Sequence, residues 1–337
     1  MPPTIKQVAE RAGVSTSTVS HVLNGTHFVS PPLTERVLRA VEELDYQLNP
    51  VARSLAGGRS SVIGLMIPEL AVSYSGEILR GIDEALANAG YDLLLHTTHN
   101  QRVKERVFVH KLAHGLTEGL LLLLPSDPNA YLAPLYKKQF PYVVIDHQGF
   151  DDFSPTVVST NWQGAFEATR YLIELGHRRI GFVAGASHTS SALERLQGYR
   201  DALQRAGIPF DHDLVREGYF ARPPSYEAAL HLLDLPDPPT AIFAANDVSA
   251  FGVIDAIHAR GLRFPHDVSV IGFDDIPEAA AARPALTTVR QPLAEMGRTA
   301  VGMLLEYIAE PERPTRRITL DTELIIRESC MPPKRSV

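Results

Sequence analysis

The first 25 residues carry the pattern that most restricts how this chain can fold. Thr4 and Gln7 have the spacing of a capping box, in which each side chain satisfies a backbone N–H at the start of a helix. Four apolar residues follow at helical spacing and predict one buried face: Ile5, Val8, Ala9 and Ala12. Gly13 can adopt the positive φ that ends a helix, and Ser15 can cap the next one. We therefore predict two short helices joined by a tight turn.

The second of these helices has an unusual exposed face. Its apolar residues are predicted to point inward: Val19, Val22 and Leu23. The opposite face carries hydroxyl groups and an imidazole instead of the lysine and glutamate expected on a merely solvated helix: Thr16, Ser17, Ser20 and His21. Hydroxyl and imidazole groups can form hydrogen bonds with base edges in a major groove. This composition predicts a helix that reads double-stranded DNA.

The net charge gives DNA binding little support. The chain of 337 residues has a formal net charge of −7. Residues 1–60 carry six basic and five acidic side chains, whereas the remainder carries 26 basic and 34 acidic ones, a modest contrast of the right sign. Affinity for DNA is therefore predicted to depend on backbone N–H groups, hydroxyls and a few arginines, not on a large basic surface.

Length, cysteine content and hydropathy limit the class of protein. A chain of 337 residues is long enough for two or three domains. Cys330 is the single cysteine in the sequence, which excludes an intrachain disulfide and favours a reducing compartment. No apolar run approaches the roughly 18 residues of a membrane helix, and charged residues interrupt the first helix where an export signal would be apolar. These features predict a cytoplasmic protein without a membrane partner.

A third helix and a short linker follow the first two helices. Ser30 is placed to cap the third helix, with Pro31 at its first position. Its apolar stripe is predicted to consist of Leu33, Val37, Ala40, Val41 and Leu44. Further on, Pro50 and Gly57 bracket a segment shorter than the roughly 12–15 residues that a marginally stable isolated helix needs. This segment is predicted to become helical only when something packs against it, and a flexible linker with a nascent helical turn is the alternative.

From residue 62 onward, short apolar runs alternate with amphipathic helical patterns. The first predicted strands are residues 62–67, 91–95, 119–124 and 142–145, separated by helical patterns such as residues 77–89 and 102–114. After Asn161 the alternation repeats, with strands at residues 180–184, 241–245 and 269–273. Such alternation indicates parallel sheets covered by helices on both faces. The predicted fold class is an all-α helix-turn-helix head followed by an α/β core of two doubly wound parallel-sheet subdomains.

Five stretches in a fixed order along nearly the whole chain resemble a known family. They are TIKQVAERAGVSTSTVSHVLNG at 4–25, VARSLAGGRSSVIGL at 51–65, ELGHRRIGFVAG at 174–185, DVSVIGFDD at 267–275 and PALTTVRQP at 284–292. In these stretches the sequence resembles the lactose/galactose repressor family of bacterial transcription regulators. The resemblance implies a core like that of the periplasmic binding proteins. It also implies a homodimer, and the tail lacks the leucine heptad that would support a tetramer.

The resemblance further implies domain boundaries and DNA contacts. The implied domains are a DNA-binding domain at 1–48, a hinge helix at 49–60, a first core subdomain at 61–160 and 291–316, a second at 161–290 and 317–330, and a tail at 331–337. Leu55 occupies the position of the leucine that wedges between base pairs in the minor groove. The predicted contacts to a pseudo-palindromic operator are Thr4, Ser15, Thr16, Ser17, Thr18, Ser20, His21, Asn24, Val51, Ala52, Arg53 and Leu55.

Several chemically suitable residues follow the predicted strand ends, where parallel α/β sheets bind ligands. Carboxylates, an amide and a guanidinium can bridge sugar hydroxyls, and an aromatic ring can cover the apolar face of a pyranose. Asp274, Arg195 and Asn246 match positions that resemble effector contacts across the family. The full set of predicted effector contacts is Tyr74, Asp146, His147, Trp162, Arg195, Phe220, Asn246 and Asp274.

The identity of the effector is less constrained. Purine-responsive relatives resemble one another in an arginine and a tryptophan at the positions that Thr189 and His147 occupy here. This difference favours a sugar or a sugar derivative over a purine. A sugar phosphate stays open because Arg195 could pair with a phosphate. Whether the effector acts as inducer or corepressor also stays open.

Motifs for catalysis are absent from the sequence, which has no G-x-S-x-G, H-E-x-x-H, P-loop or G-x-G-x-x-G. His110 and His114 have a spacing that could hold a metal, but no clustered cysteine or carboxylate accompanies them. We therefore predict no catalytic residue, no metal and no cofactor. A sugar-binding transport protein and a two-lobed enzyme are the rival interpretations. The first 60 residues argue against the transport protein, and the lack of a nucleophile, metal cluster or cofactor loop in the sequence argues against the enzyme. The favoured reading is a repressor of carbohydrate-utilisation genes.

Overall fold

The computed structural model describes residues 3–24, 27–46, 60–70, 73–113, 116–147 and 153–334, without the side chain of Asn24. The chain divides into two compact units, residues 1–60 and residues 61–337. The first unit is helical in its described part, and the second contains two sheets with helices. The predicted hinge helix at 49–60 lies outside the described residues except for Ser60, so it stays a prediction.

The described part of the first unit contains α1 (Ile5–Ala12), α2 (Thr16–Asn24) and α3 (Pro31–Glu43). The predicted capping box starts α1, because Gln7 N–H donates to Thr4 Oγ1 and Thr4 N–H donates to Gln7 Oε1. Ser30 precedes α3 but makes no side-chain cap hydrogen bond, contrary to the prediction. The small core consists of Val8, Ala9, Ala12, Val19, Val37 and Ala40. The predicted helix-turn-helix head is therefore confirmed.

The second unit alternates strands and helices as predicted. Its strands are β1 (Val62–Ile67), β2 (Asp92–Thr97), β3 (Gly119–Leu123), β4 (Tyr142–Ile145), β5 (Thr156–Ser159), β6 (Ile180–Ala184), β7 (Val215–Glu217), β8 (Ala241–Ala244), β9 (Ser269–Asp274), β10 (Thr287–Arg290), β11 (Arg317–Leu320) and β12 (Glu323–Ile325). Its helices are α4 (Ser73–Ala89), α5 (Arg102–Leu112), α6 (Leu132–Lys137), α7 (Asn161–Glu174), α8 (Ser190–Arg205), α9 (Arg222–Leu233), α10 (Asp247–Ala259), α11 (Pro277–Ala281) and α12 (Leu293–Ala309). Apolar residues form cores on both faces of each sheet.

The first sheet has the strand order β11-β5-β4-β3-β1-β2, and all of its pairings are parallel. The second has the order β12-β10-β9-β8-β6-β7, and only the β10–β12 pairing is antiparallel. The prediction that residues 317–330 belong to the second subdomain is wrong for β11, which pairs with β5 of the first sheet. The backbone groups on the outer edge of β5 are satisfied by β11, and only after β11 does the chain cross to β12 in the second sheet.

The chain therefore passes between the two sheets three times: after β5, after β10 and after β11. Side chains connect these crossovers. The hydroxyls of Thr160 and Thr322 lie 3.0 Å apart, and Thr322 N–H donates to Thr160 Oγ1. Ser159 Oγ donates to Gln291 Oε1 on the second crossover. These hydrogen bonds connect the first crossover to the third and to the second, so the three segments between the sheets are hydrogen-bonded to one another.

Candidate functional site

The turn between α1 and α2 is fixed by a side chain from α3. Gly13 has a φ of 64°, which ends α1 as predicted. The guanidinium of Arg36 donates from Nη2 to the carbonyl oxygens of Ala12, at 2.5 Å, and Gly13, at 3.3 Å. A methyl group on Gly13 would lie only 2.8 Å from this nitrogen. The turn thus holds α2 in one orientation relative to the rest of the first unit.

Ser15 begins α2, as the sequence predicts. Its Oγ accepts a hydrogen bond from the N–H of Thr18 at 3.1 Å, and it lies 2.8 Å from the hydroxyls of Ser17 and Thr18. Thr16 and Ser17 are exposed, whereas Thr18 and Ser20 are partly buried. The start of α2 therefore presents a group of hydroxyls at a helix N-terminus, which favours contact with phosphate oxygens and base edges.

His21, which is predicted to contact bases, packs against a second histidine. The ring of His21 stacks on the ring of His27, with centroids 4.5 Å apart and planes inclined by 11°. Phe28, the next residue, is 91% exposed. His27 was not among the predicted DNA contacts, because it lies in a short loop where helical periodicity gives no signal. The surface beside α2 is thus formed by two imidazoles.

The three arginines in the described part of the first unit all make contacts within it. Arg11 pairs with Glu43 at 2.6 Å, Arg39 pairs with Glu35 at 3.0 Å, and Arg36 binds the turn. This agrees with the expectation that hydroxyls and N–H groups carry much of the contact with DNA. Thr4, also predicted to contact DNA, is exposed and caps α1. The remaining predicted contacts lie outside the described residues: Val51, Ala52, Arg53, Leu55 and the side chain of Asn24.

In the second unit, a buried guanidinium lies among the strand ends. Arg195, on the second turn of α8, is 2% exposed. It donates from Nε to Asn161 Oδ1 at 2.9 Å and from Nη1 to the carbonyl oxygen of Ala245 at 2.5 Å. Nη1 also lies 3.5 Å from Asp274 Oδ1, and Cζ lies 3.8 Å from the centre of the Phe273 ring. These contacts hold the guanidinium at the carboxyl edge of the second sheet.

Asp274 ends β9 in a backbone conformation that is uncommon for a non-glycine residue, with a φ of 115°. Such conformations cost about 1–3 kcal/mol and persist where the surroundings enforce them. Here Gln291 Nε2 donates to Asp274 Oδ1 at 2.8 Å. Two residues later, Ile276 N–H donates to Asp247 Oδ2 at 2.9 Å, and Thr288 Oγ1 donates to Asp247 Oδ1 at 2.5 Å. The loop that presents Asp274 is therefore fixed from several sides.

A second carboxylate lies at the carboxyl edge of the first sheet. Asp146 follows β4 with a φ of 54°, and Tyr74 is the second residue of α4. The phenol O–H of Tyr74 donates to Asp146 Oδ2 at 2.6 Å, and both side chains are buried. The pair therefore positions one acceptor and one aromatic ring at the end of the first sheet.

Burial dominates the electrostatics of these acids. It raises the pKa of Asp274 to about 7, while Arg195 and the hydrogen bond from Gln291 act in the opposite direction. Burial also raises the pKa of Asp146, again opposed by Arg195. The pKa of Asp247 lies well above its ordinary value because of burial and of the neighbouring Asp274. One cation thus faces several buried acids, so a further anionic group would be disfavoured here.

Two more predicted residues join this group. Asn246 caps α10, since its Oδ1 accepts from Ser249 N–H at 2.8 Å. Its Nδ2 donates to the carbonyl oxygen of Phe220 at 3.2 Å. The Phe220 ring packs on Gly185, where a methyl group would lie 2.0 Å from the ring, and its centre is 5.6 Å from Arg195 Cζ. The structure thus brings an amide and an aromatic ring to the buried guanidinium.

Two other predicted contacts have different surroundings. Trp162 is 39% exposed, donates from its indole to Asp201 Oδ2 at 2.7 Å, and stacks on Phe166. Asn161, one residue earlier on α7, is the side chain that contacts Arg195, and a ligand contact by Trp162 stays a prediction. His147 directly follows Asp146 and is partly buried.

The described residues contain neither a metal-binding cluster nor a membrane-spanning helix. No group of three or more His, Cys, Asp or Glu side chains within the described ranges is arranged to hold a metal ion. Within those same ranges, none of the helices is both long and apolar enough to cross a membrane. His110 and His114, whose spacing could hold a metal although none is predicted from the sequence, are described only in part, since His114 lies outside those ranges.

Fold and site together define a class of protein: a DNA-binding regulator in which a helix-turn-helix unit shares a chain with an α/β ligand-binding unit. Residues 4–49 match the family described as bacterial regulatory proteins, lacI family. Residues 169–330 match the periplasmic binding protein-like domain. The chain belongs to the lacI family and is a transcriptional repressor that binds operator DNA and a small-molecule effector.

Relatives in other bacteria match almost end to end. The HTH-type transcriptional repressor PurR of Photobacterium profundum is 37% identical over 328 residues, which cover 97% of this chain and 98% of that protein. The repressor of the same name from Photorhabdus laumondii is 38% identical over 330 residues, covering 97% of each chain. These relatives are DNA-binding repressors and not enzymes, in agreement with the prediction.

Solved structures give the same fold with different ligands. The lac repressor dimer bound to operator and the anti-inducer ONPF superimposes with a TM-score of 0.86 at 29% identity, over 98% of this chain and 100% of that chain. The regulator CelR in complex with cellobiose has a TM-score of 0.75 at 35% identity, over 97% of this chain and 100% of that chain. A lacI-family regulator from Enterococcus faecium with bound ribose has a TM-score of 0.74 at 27% identity, over 81% of this chain and 100% of that chain.

Proposed function

We propose that this repressor is controlled by a sugar that binds where the carboxyl edges of its two sheets meet, and that it represses carbohydrate-utilisation genes. The observation that carries this proposal is the buried Arg195, which lies 3.5 Å from Asp274 and donates to Asn161. Asp146 and Tyr74 add a second acceptor and an aromatic ring at the end of the first sheet. Effector binding would then change DNA affinity by its preference for one arrangement of the two sheets.

The chemistry of these groups favours a neutral ligand rich in donors. In their ionised form Asp146 and Asp274 only accept hydrogen bonds, so each can accept from a ligand hydroxyl in addition to Tyr74 or Gln291. Sugar hydroxyls donate and accept at closely spaced positions, which suits alternating carboxylate, amide and guanidinium groups. The aromatic rings of Tyr74 and Phe220 suit the apolar faces of a pyranose. Support also comes from CelR, 35% identical to this chain, whose structure contains cellobiose.

Two other effectors are weighed against this proposal. A sugar phosphate is disfavoured, because Arg195 already donates to Asn161 and the Ala245 carbonyl and lies near Asp274. A purine is the second candidate, favoured by relatives named PurR at 37–38% identity over nearly the whole chain. Against it, the hydroxyl of Thr189 occupies the position of the arginine found in purine-responsive relatives, and it caps α8.

A screen of ligands on the full chain tests the proposal. Cellobiose, ribose, glucose and purine bases are added separately, and the melting temperature and the affinity for a duplex selected by the protein from a random library are measured. We expect a sugar to raise the melting temperature and to change the DNA affinity by about 5- to 150-fold. The direction of that change identifies an inducer or a corepressor. A response to purine bases alone would contradict the sugar proposal and favour the second candidate.

We further propose that the repressor acts as a homodimer on a pseudo-palindromic operator. The lac repressor structure, 29% identical to this chain, is a dimer on its operator. Leu55 is proposed to enter the minor groove between the two half-sites, as the resemblance implies. We also keep the proposed domain limits at 1–48 for the DNA-binding domain and 49–60 for the hinge. Sedimentation equilibrium with and without the selected duplex measures the number of chains bound.

We predict that His21→Ala changes base preference and not only affinity. His21 is partly buried and stacks on the exposed His27, and it lies one helical turn after Ser17 on α2. We expect the variant to lose about 5- to 150-fold affinity on the best half-site, and far less on a random duplex, because a base contact contributes about 1–3 kcal/mol. His27→Ala is expected to have a smaller effect in the same direction. The measurement is fluorescence anisotropy on a set of half-site variants.

The control for His21 is His231→Ala, which removes an exposed imidazole from the second unit. This variant is expected to bind every duplex as the parent protein does. An equal loss of affinity by the His21 variant on all half-sites would show that His21 contributes to general binding and not to base choice.

A further inference from the structure

We propose that Gln291 is the positioning residue that links the ligand-binding carboxylate of Asp274 to the crossover between the two sheets. The proposal rests on the ligand site proposed above and assigns its coupling to one side chain. Gln291 directly follows β10 and starts the crossover that leads to α12. It is 3% exposed, so its amide is removed from solvent.

Two bonds tie Gln291 to Asp274. The backbone N–H of Gln291 donates to the carbonyl oxygen of Asp274 at 3.2 Å, which extends the pairing of β9 with β10. Its side-chain Nε2 donates to Asp274 Oδ1 at 2.8 Å. The same oxygen lies 3.5 Å from Arg195 Nη1. Gln291 therefore shares with Arg195 the carboxylate oxygen that a ligand hydroxyl would approach.

The other end of the Gln291 amide reaches the first sheet. Its Oε1 accepts a hydrogen bond from the hydroxyl of Ser159, the last residue of β5 and 2% exposed. A primary amide of this length offers a donor to one sheet and an acceptor to the other. Methionine has a similar length but neither function, and glutamate would place a second carboxyl against Asp274. The side chain is thus specific for this bridge.

The bridge has a consequence for control by ligand. A ligand hydroxyl that donates to Asp274 Oδ1 competes with Gln291 Nε2 and with Arg195 for the same oxygen. Any adjustment of the Gln291 amide then changes its bond to Ser159, at the place where the two sheets are joined. Ligand binding and the relative arrangement of the sheets therefore share one buried side chain. The path from Asp274 through Gln291 to Ser159 is continuous, and the coupling free energy between ligand binding and DNA binding can be measured with and without it.

The first test needs no ligand. Melting temperatures of the parent protein, Asp274→Asn, Gln291→Met and the double variant are compared between about pH 4.5 and 8.5. The difference that Asp274→Asn makes in each background falls as pH rises above the pKa of the unfolded carboxyl, and it levels off at the folded pKa of Asp274. We expect the pH at which it levels off to move up by about one unit in the Gln291→Met background, as for the loss of one hydrogen bond to the ionised form. Gln291→Glu is the second variant and should move this pH in the same direction. An unchanged levelling-off pH overturns the proposal.

The second test measures coupling, with cellobiose as the probe and the selected operator duplex as the DNA. We expect Gln291→Met to reduce the effect of cellobiose on DNA affinity from its parent value to less than about threefold, while cellobiose still binds. Ser159→Ala should do the same, and the double variant should add little, because both remove one bridge. Gln163→Met, which removes an exposed amide on α7 bonded to Glu167, is the matched control and should leave the coupling unchanged.

The outcomes separate this proposal from the one on which it rests. A parent protein that ignores cellobiose contradicts control by that sugar, and the pH test still decides the role of Gln291. A parent protein that responds, together with a Gln291→Met variant that responds equally, overturns the bridge and leaves the sugar proposal standing.

Discussion

An Arg195→Met protein is expected to unfold with a free energy about 3–5 kcal/mol below that of the parent protein at pH 7. Arg195 is 2% exposed and is the cation nearest to Asp274, so its removal leaves a buried acid without a charged partner. The variant also loses the donors to Asn161 and to the Ala245 carbonyl oxygen. Chemical denaturation measures the difference, and ligand titration should show no binding at concentrations that saturate the parent protein.

The loss of unfolding free energy in Arg195→Met should be larger at high pH than at low pH. Burial raises the pKa of Asp274 to about 7, and Arg195 lowers it from a still higher value. A raised pKa means that the folded chain binds more protons than the unfolded chain, so this contribution to stability is full below about pH 4 and falls as pH rises toward 7. Without Arg195 the fall continues above pH 7. The deficit of Arg195→Met should therefore be nearly constant below about pH 6 and widen above about pH 7.

A second substitution provides the control for Arg195. Adding Asp274→Asn to Arg195→Met removes the acid that was left without a partner, and should recover part of the lost stability and flatten the pH dependence. Arg222→Met is the matched surface variant, because Arg222 pairs with Asp255 on an exposed face. It should cost less than about 1 kcal/mol. Equal losses for the buried and exposed arginines would contradict the electrostatic account of the site.

Much of the fold could be predicted because its strands are short, continuously apolar and regularly spaced. Residues 62–67, 142–145 and 180–184 are strands with the predicted limits. The strands that escaped prediction, β5 and β10, contain threonine and an arginine among their few apolar residues. Their burial comes from neighbouring strands, which a local pattern does not encode. The same reason explains β11, since its membership of the first sheet depends on the free edge of β5.

The candidate ligand site could be predicted only in part, because strand ends are visible in a sequence and side-chain direction is not. Asp146, Asn246 and Asp274 follow strands and lie at the site. Asn161 and Gln291 were missed because neither carries a charge or ends a predicted strand, although Gln291 lies within the quoted stretch at 284–292. Both became evident only when the crossovers brought the two sheets together.

A methyl group on Gly81 should produce the second large effect. Gly81 lies in the middle of α4, and a Cβ there would stand 1.9 Å from the carbonyl oxygen of Ala294 at the start of α12. Gly297 on α12 makes the reciprocal approach, with a Cβ position 2.3 Å from the carbonyl oxygen of Ile78. These atoms belong to two helix backbones, so no side-chain rotation relieves the clash. We expect Gly81→Ala to lower the free energy of unfolding by about 3 kcal/mol.

A second glycine on α4 provides the control. It separates the effect of the close contact with α12 from the low helix propensity of glycine itself. Gly76 is an exposed residue of α4, and a Cβ on it would meet nothing within 4 Å. Gly76→Ala should stabilise the protein by about 0.5–1 kcal/mol, because alanine favours the helical state. The two alanine substitutions on this helix should therefore change the free energy of unfolding in opposite directions. Since Tyr74 lies in the first turn of this helix and donates to Asp146, a shift of α4 should also weaken ligand binding in Gly81→Ala alone. Two variants of equal stability would contradict the contact between α4 and α12 on which the position of Tyr74 depends.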